Sequence, residues 1–124
     1  MGLRYAGIRV RDLDRSIAFY TRLLGLKEHG RGRAAHGGVW VLLVDPRTHQ
    51  RLELNWYPPT SPFATRYVPG DGLDHLGFRV PDAAKVARRL TRARVRPALL
   101  PTDPNGMRGI YYFLDPDGNW IELF

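Results

Sequence analysis

The sequence predicts an α+β fold made of two tandem copies of one strand, helix and hairpin unit. Two observations carry this prediction. Apolar residues recur every second position, then at helical spacing, then every second position again, in the same order in both halves. The halves also match by residue number. Arg9-Val10 corresponds to Arg79-Val80, Asp12 to Asp82, and Asp45-Pro46 to Asp115-Pro116, all at an offset of 70. Beyond a turn that is one residue longer in the first copy, "LEL" at 52–54 meets "IEL" at 121–123 at an offset of 69.

The elements follow in chain order. "GIRVRDLDRSIAFYTRLLG" is a short strand, then Asp12 or Asp14 as helix N-cap, then an amphipathic helix with Leu13, Ile17, Tyr20 and Leu24 on one stripe, ended by Gly25. "VWVLLVDP" is a buried strand running into a turn, and "RLELNWY" returns from it. The prolines and glycines of "PPTSPFATRYVPGDG" bar a regular element and mark a linker. In the second copy "HLGFRVPD" leads into an Asp82 N-cap and a basic helix, and "GIYYFLDP" turns through Asp117-Gly118, a strong tight-turn pair, into "NWIELF". The repeats span about 3–57 and 72–124, joined by a linker over 58–71.

Composition bounds what such a chain can be. Its 124 residues suit a single domain over 1–124, and 44% hydrophobic with 25% charged residues is globular rather than disordered. With no Cys, disulfides, thiolate nucleophiles and sulfur-ligated metals drop out together, leaving His, Asp, Glu and Tyr as the metal-binding side chains. "MGLRYAGIRV" has no signal-peptide apolar region and no apolar run approaches the roughly 20 residues that span a bilayer, so a cytoplasmic protein without a membrane partner is expected. The net charge of +7 is concentrated in "KVARRLTRARVR", where Lys85, Arg88, Arg89, Arg92 and Arg96 interleave with Val86, Ala87, Leu90 and Ala93. This is a solvated helix face. It lacks the aromatic residues of a base-stacking surface, which argues against nucleic acid; the weaker alternative keeps the charge but makes the partner a small anion.

Strand alternation then sorts the faces. Ala6, Ile8 and Val10 lie opposite Tyr5, Gly7 and Arg9, and Leu76, Phe78 and Val80 lie opposite His75, Gly77 and Arg79. Leu52 and Leu54 oppose Glu53, as Ile121 and Leu123 oppose Glu122. The aliphatic faces belong to the helices, and the other faces are open or line a cavity. A pseudo-two-fold arrangement of the copies would bring Tyr5, Glu53, His75 and Glu122 together. One imidazole and two carboxylates suit Zn²⁺, Ni²⁺, Co²⁺, Mn²⁺ or Fe²⁺. The plainer alternatives are His75 as a polar residue at a strand start and Glu53 as a rim acid paired with an arginine.

The units carrying "IRVRDLDRSIAFYTRLLGL", "GLDHLGFRV" and "FLDPDGNWIELF" resemble the vicinal oxygen chelate superfamily over nearly the whole chain. That superfamily takes in glyoxalase I, extradiol dioxygenases, fosfomycin-resistance enzymes, methylmalonyl-CoA epimerase and bleomycin-binding proteins. The resemblance implies tandem βαβββ modules forming curved mixed sheets around a cleft, commonly completed in a homodimer. It implies metal positions at Tyr5, Glu53, His75 and Glu122, the set already reached from the repeat. Acids at the second and fourth positions with His at the third are most similar to glyoxalase I, which isomerises the thiohemiacetal of methylglyoxal to a thioester. By that likeness Glu122 moves the proton. Extradiol dioxygenases carry His at the first position, where Tyr5 stands here. Arg9 matches an arginine that holds a glutathione carboxylate, Arg79 is its repeat equivalent, and Tyr57 stands where an asparagine is expected. These three are the substrate-binding candidates.

The expectation is a metal-dependent lyase or isomerase of the glyoxalase I type acting on a small, oxygen-rich, anionic substrate with one divalent metal ion. The alternative is a metal-free protein that binds and sequesters a small molecule, as bleomycin-binding relatives do.

Overall fold

The computed structural model describes residues 5–35, 37–69, 73, 75–99 and 109–124. The chain forms two compact units, Met1–Tyr67 and Val68–Phe124. In the first, β1 (Ala6–Arg9), α1 (Leu13–Ala18, continued as a π-helix over Phe19–Leu23), β2 (Lys27–Arg33), β3 (Val39–Val44) and β4 (Arg51–Trp56) follow in order. In the second come β5 (His75–Phe78), α2 (Ala83–Arg92), β6 (Pro97–Leu99), β7 (Tyr111–Leu114) and β8 (Trp120–Leu123). Each unit is therefore βαβββ, and the expected α+β fold of two such modules is borne out.

The sheets are built alike. Their strand orders are β1-β4-β3-β2 and β5-β8-β7-β6. The first strand of each unit pairs parallel with the last, and the remaining pairs are antiparallel. The loops that close each parallel pair also correspond: Val10 N–H donates to the Asn55 carbonyl at 2.8 Å, and Val80 N–H to the Phe124 carbonyl at 2.8 Å.

Both helices start as their sequences require. The Asp12 carboxylate accepts from Arg15 N at 3.0 Å and the Asp82 carboxylate from Lys85 N at 2.8 Å, satisfying backbone donors that have no partner within the helix. Gly25 follows the first helix at φ +82, a conformation that costs glycine little. The π-helical stretch departs from the expected regular helix. It brings consecutive residues Phe19 and Tyr20 into the core in an edge-to-face contact, with ring centroids 5.1 Å apart.

One face of each sheet is apolar and buried. Ile8, Val10, Val41, Leu43, Leu52 and Leu54 form it in the first unit, with α1 packed on β4; Phe113, Ile121 and Leu123 form it in the second, with Ala87 and Leu90 of α2. Each such leucine contributes about 1.5–3 kcal/mol by leaving water. Lys85, Arg88, Arg89 and Arg92 lie on the exposed side of α2, as its periodicity predicts.

The β3–β4 and β7–β8 hairpins show the repeat in its turns. Asp115 accepts from Asp117 N at 2.9 Å, Asn119 N at 2.8 Å and Asn119 Nδ2 at 2.9 Å, and Gly118 adopts φ +93. Asp45 likewise accepts from Arg47 N at 2.7 Å and Thr48 N at 3.3 Å, and in its longer turn the left-handed position falls to His49 at φ 59.

Residues 27–33 form the edge strand β2, with His29 exposed on it; His49 lies exposed in its turn, and His36 is outside the described residues. The strand is hidden in the sequence because its side chains are polar or absent. Trp40 of β3 lies across Gly32, where an added Cβ would stand 2.6 Å from the indole, and this cross-strand contact replaces the missing apolar signal. Glu28 and Arg31 pair on the same strand at 2.6 Å, and this hydrogen bond holds the Glu28 carboxyl below its ordinary range. Among the described residues no helix is long and apolar enough to cross a membrane.

Candidate functional site

In each unit the face away from the helix carries one acid of the repeat, set beside a glycine. Along β8 the side chains of Ile121 and Leu123 are wholly buried on the helix side, which turns Glu122 to the other face, half-buried. Glu122 is in register with Gly77 of β5 and with Tyr112 of β7. The Tyr112 hydroxyl donates to Glu122 Oε1 at 2.7 Å. The Tyr112 ring leans on Trp120, with centroids 5.6 Å apart and planes inclined at 57°. Gly77 leaves room on the other side: a Cβ there would lie 3.2 Å from Phe124 Cε1 and 3.4 Å from Glu122 Oε2. Trp120 and Phe124, two residues before and after Glu122, are 37% and 48% exposed, so the carboxylate lies among rings that solvent reaches.

The first unit places Glu53 in the same way. Leu52 and Leu54 are buried, and Glu53, half-buried on the opposite face, is in register with Gly7 of β1 and Leu42 of β3. The next row along this face is Arg9, Asn55, Trp40 and Gly32. Arg9 Nη1 donates to Thr65 Oγ1 at 3.0 Å, and its guanidinium lies 5.9 Å from the Tyr57 ring centroid and 5.8 Å from that of Tyr67. Arg11 sits 5.0 Å from the Tyr67 centroid, so two cations share one aromatic ring. Tyr57 in turn touches Phe63 at 5.7 Å. The stretch expected to be a plain linker thus reaches back, through Thr65 and Tyr67, to hold Arg9 within its own unit.

The other candidates stand apart from these contacts. Tyr5 immediately precedes β1 and is 47% exposed. Arg79, just after β5, is exposed. The backbone of His75 pairs with Trp120 in the β5–β8 register, and its side chain lies outside the described residues. Among the described residues no three His, Asp or Glu side chains form a group that could hold a metal ion, and each open face by itself supplies one carboxylate.

Sequence reasoning missed Tyr112, Thr65 and Tyr67. Tyr112 was within reach: a hairpin closed at Asp117-Gly118 pairs Leu114 with Trp120 and therefore Tyr112 with Glu122. Thr65 and Tyr67 gave no periodic signal, because they act from an irregular segment.

Comparison with known proteins agrees with this architecture. The family model described as Glyoxalase/Bleomycin resistance protein/Dioxygenase superfamily matches residues 2–123. A lactoylglutathione lyase of Pseudomonas putida is 30% identical over 139 aligned residues, covering 94% of this chain and 80% of the relative. The trypanothione-dependent glyoxalase I of Leishmania major shares the fold at a TM-score of 0.78 and 26% identity, with 100% of this chain and 86% of that one covered. TnmS3, an antibiotic binding protein from Streptomyces sp. CB03234, is similar in fold at a TM-score of 0.71 and 24% identity, covering 99% and 93% of the two chains.

Proposed function

Because the chain belongs to the Glyoxalase/Bleomycin resistance protein/Dioxygenase superfamily, we propose that it is a metal-dependent lyase or isomerase of the glyoxalase I type, acting on a small, oxygen-rich, anionic substrate. The observation that carries this reading is the pair of repeat-equivalent acids, each half-buried on the open face beside a glycine of the parallel strand. Such positions leave a carboxylate accessible to a ligand without a neighbouring Cβ in the way. The likeness to a lactoylglutathione lyase and to a glyoxalase I supports it.

The chemistry of the donor set suits a divalent first-row cation: Glu53 and Glu122 would supply anionic oxygens and His75 an imidazole, with Tyr5 at the first position. When bound, the ion supplies Lewis-acid stabilisation of negative charge developing on substrate oxygens. The protein does the rest. Glu122 accepts a proton from the substrate carbon next to the carbonyl and returns it to the neighbouring carbon, an isomerisation that needs no co-reactant. Arg9 and Arg79 attract the anionic end of the substrate, and Tyr57, against the Arg9 guanidinium, helps fix where that charge stands. A homodimer in the cytoplasm is the assembly and setting that go with this reading.

The test is turnover. Protein reconstituted with Co²⁺ or Ni²⁺ is given methylglyoxal with glutathione and other thiols, and thioester formation is followed by absorbance. Glu122→Gln is expected to lose at least about a hundredfold in rate, the lower bound for a positioned general base. Turnover unaffected by that substitution would refute the assignment. The second reading, a metal-free binder, draws on the aromatic character of both open faces, where Trp40 and Tyr57 in one unit and Tyr112, Trp120 and Phe124 in the other offer ring surface. Tight uptake of an aromatic drug by metal-free protein, with no turnover of any thiohemiacetal, would favour it.

A further inference from the structure

Glu53 and Glu122 occupy equivalent positions but not equivalent surroundings. Across its antiparallel hairpin Glu53 faces Leu42, which has nothing to donate. Glu122 faces Tyr112, whose hydroxyl reaches Oε1 at 2.7 Å, the length expected when a hydroxyl donates to a charged acceptor. The phenol has few ways to move. It is anchored on β7, its neighbour Phe113 is buried in the core, and its ring rests on Trp120 from the same strand as Glu122. A glutamate otherwise turns about three side-chain bonds, so one hydrogen bond from a fixed ring removes most of its freedom.

We infer that Tyr112 is a positioning residue that holds the Glu122 carboxylate in one orientation for metal binding and proton transfer, a role its repeat counterpart Leu42 cannot play for Glu53. The inference rests on the metal-dependent reading above. It also divides the two acids: Glu122 is held by a cross-strand hydroxyl, whereas Leu42 offers Glu53 no such donor. Partners that orient a metal ligand in this way cost about 10–100-fold in affinity when removed.

Titration of the full chain with Co²⁺, read by calorimetry and by the visible absorption of the bound ion, tests it. Tyr112→Phe keeps the ring and removes the hydroxyl. Its Co²⁺ affinity is expected to fall about tenfold or more, with an altered absorption spectrum and the melting temperature of the metal-free protein unchanged. Tyr111→Phe, which removes a hydroxyl from the opposite face of the same strand, leaves both unchanged. Trp120→Phe, which keeps the Tyr112 hydroxyl but trims its support, gives a smaller loss in the same direction. If the parent protein binds Co²⁺ and Tyr112→Phe matches it in affinity and spectrum, the positioning role is overturned while the metal reading stands. If the parent takes up no Co²⁺, the metal reading falls and the inference with it.

Discussion

Gly77→Ala separates the fold from the site. Gly77 is not among the glycines at positive φ, so alanine fits its backbone. The new Cβ would meet Phe124 Cε1 at 3.2 Å and Glu122 Oε2 at 3.4 Å. The first contact is tight, but Phe124 is 48% exposed, so its ring can give. Replacing glycine by alanine also stabilises by about 0.4–1 kcal/mol through the unfolded chain. The two effects oppose each other, and net stability should stay within about 1 kcal/mol of the parent. The second contact is of another kind. Glu122 is tied to Tyr112 on its far side and cannot retreat, so the methyl covers the carboxylate where a ligand would approach. Co²⁺ affinity should fall about tenfold, equivalent to about 1.4 kcal/mol. Denaturant unfolding and calorimetric titration measure the two quantities on one preparation. Parent-like affinity, or loss of binding accompanied by unfolding, would refute this reasoning. Gly7→Ala is the comparison, because its Cβ would meet Asn55 Nδ2 at 3.3 Å instead of a carboxylate, and it should cost less affinity.

Asp115→Ala strips three hydrogen bonds from a buried turn and should cost about 3 kcal/mol in denaturant unfolding, whereas Asp45→Ala, with two bonds in a more open turn, should cost about 1 kcal/mol. Arg9→Ala and Arg79→Ala should each weaken binding of an anionic inhibitor, and the parent's affinity should fall as salt rises; affinity unchanged in both variants would reduce these arginines to solvated strand ends. Tyr5→His should tighten Co²⁺ binding about tenfold by adding a nitrogen ligand, with Tyr5→Phe as control, and equal affinity in both would place Tyr5 outside the site.

What could be read in the sequence was whatever repeats or alternates. The offset of 70 located β1, α1 and β3, and the offset of 69 beyond the longer turn located β4, with their counterparts, because both copies obey the same burial pattern. Glu53 and Glu122 stood out for the same reason, as lone acids in strands whose alternate residues are aliphatic. The edge strands left no such trace: β2 is "KEHGRGR", stabilised by an indole from its neighbour, and β6 has only three residues. The π-helix could not be foreseen from a stripe that assumed 3.6 residues per turn. Arg9 was found by resemblance, but its setting between Tyr57, Tyr67 and Thr65 depends on how an irregular segment folds back, which side-chain periodicity does not encode.

Elemental analysis of protein purified without chelator checks the proposed metal ion at Glu53, His75 and Glu122. The parent protein should carry one divalent first-row metal per chain, and His75→Ala combined with Glu122→Gln essentially none, with the fold preserved by circular dichroism. Stoichiometric metal retained by that double variant would contradict it.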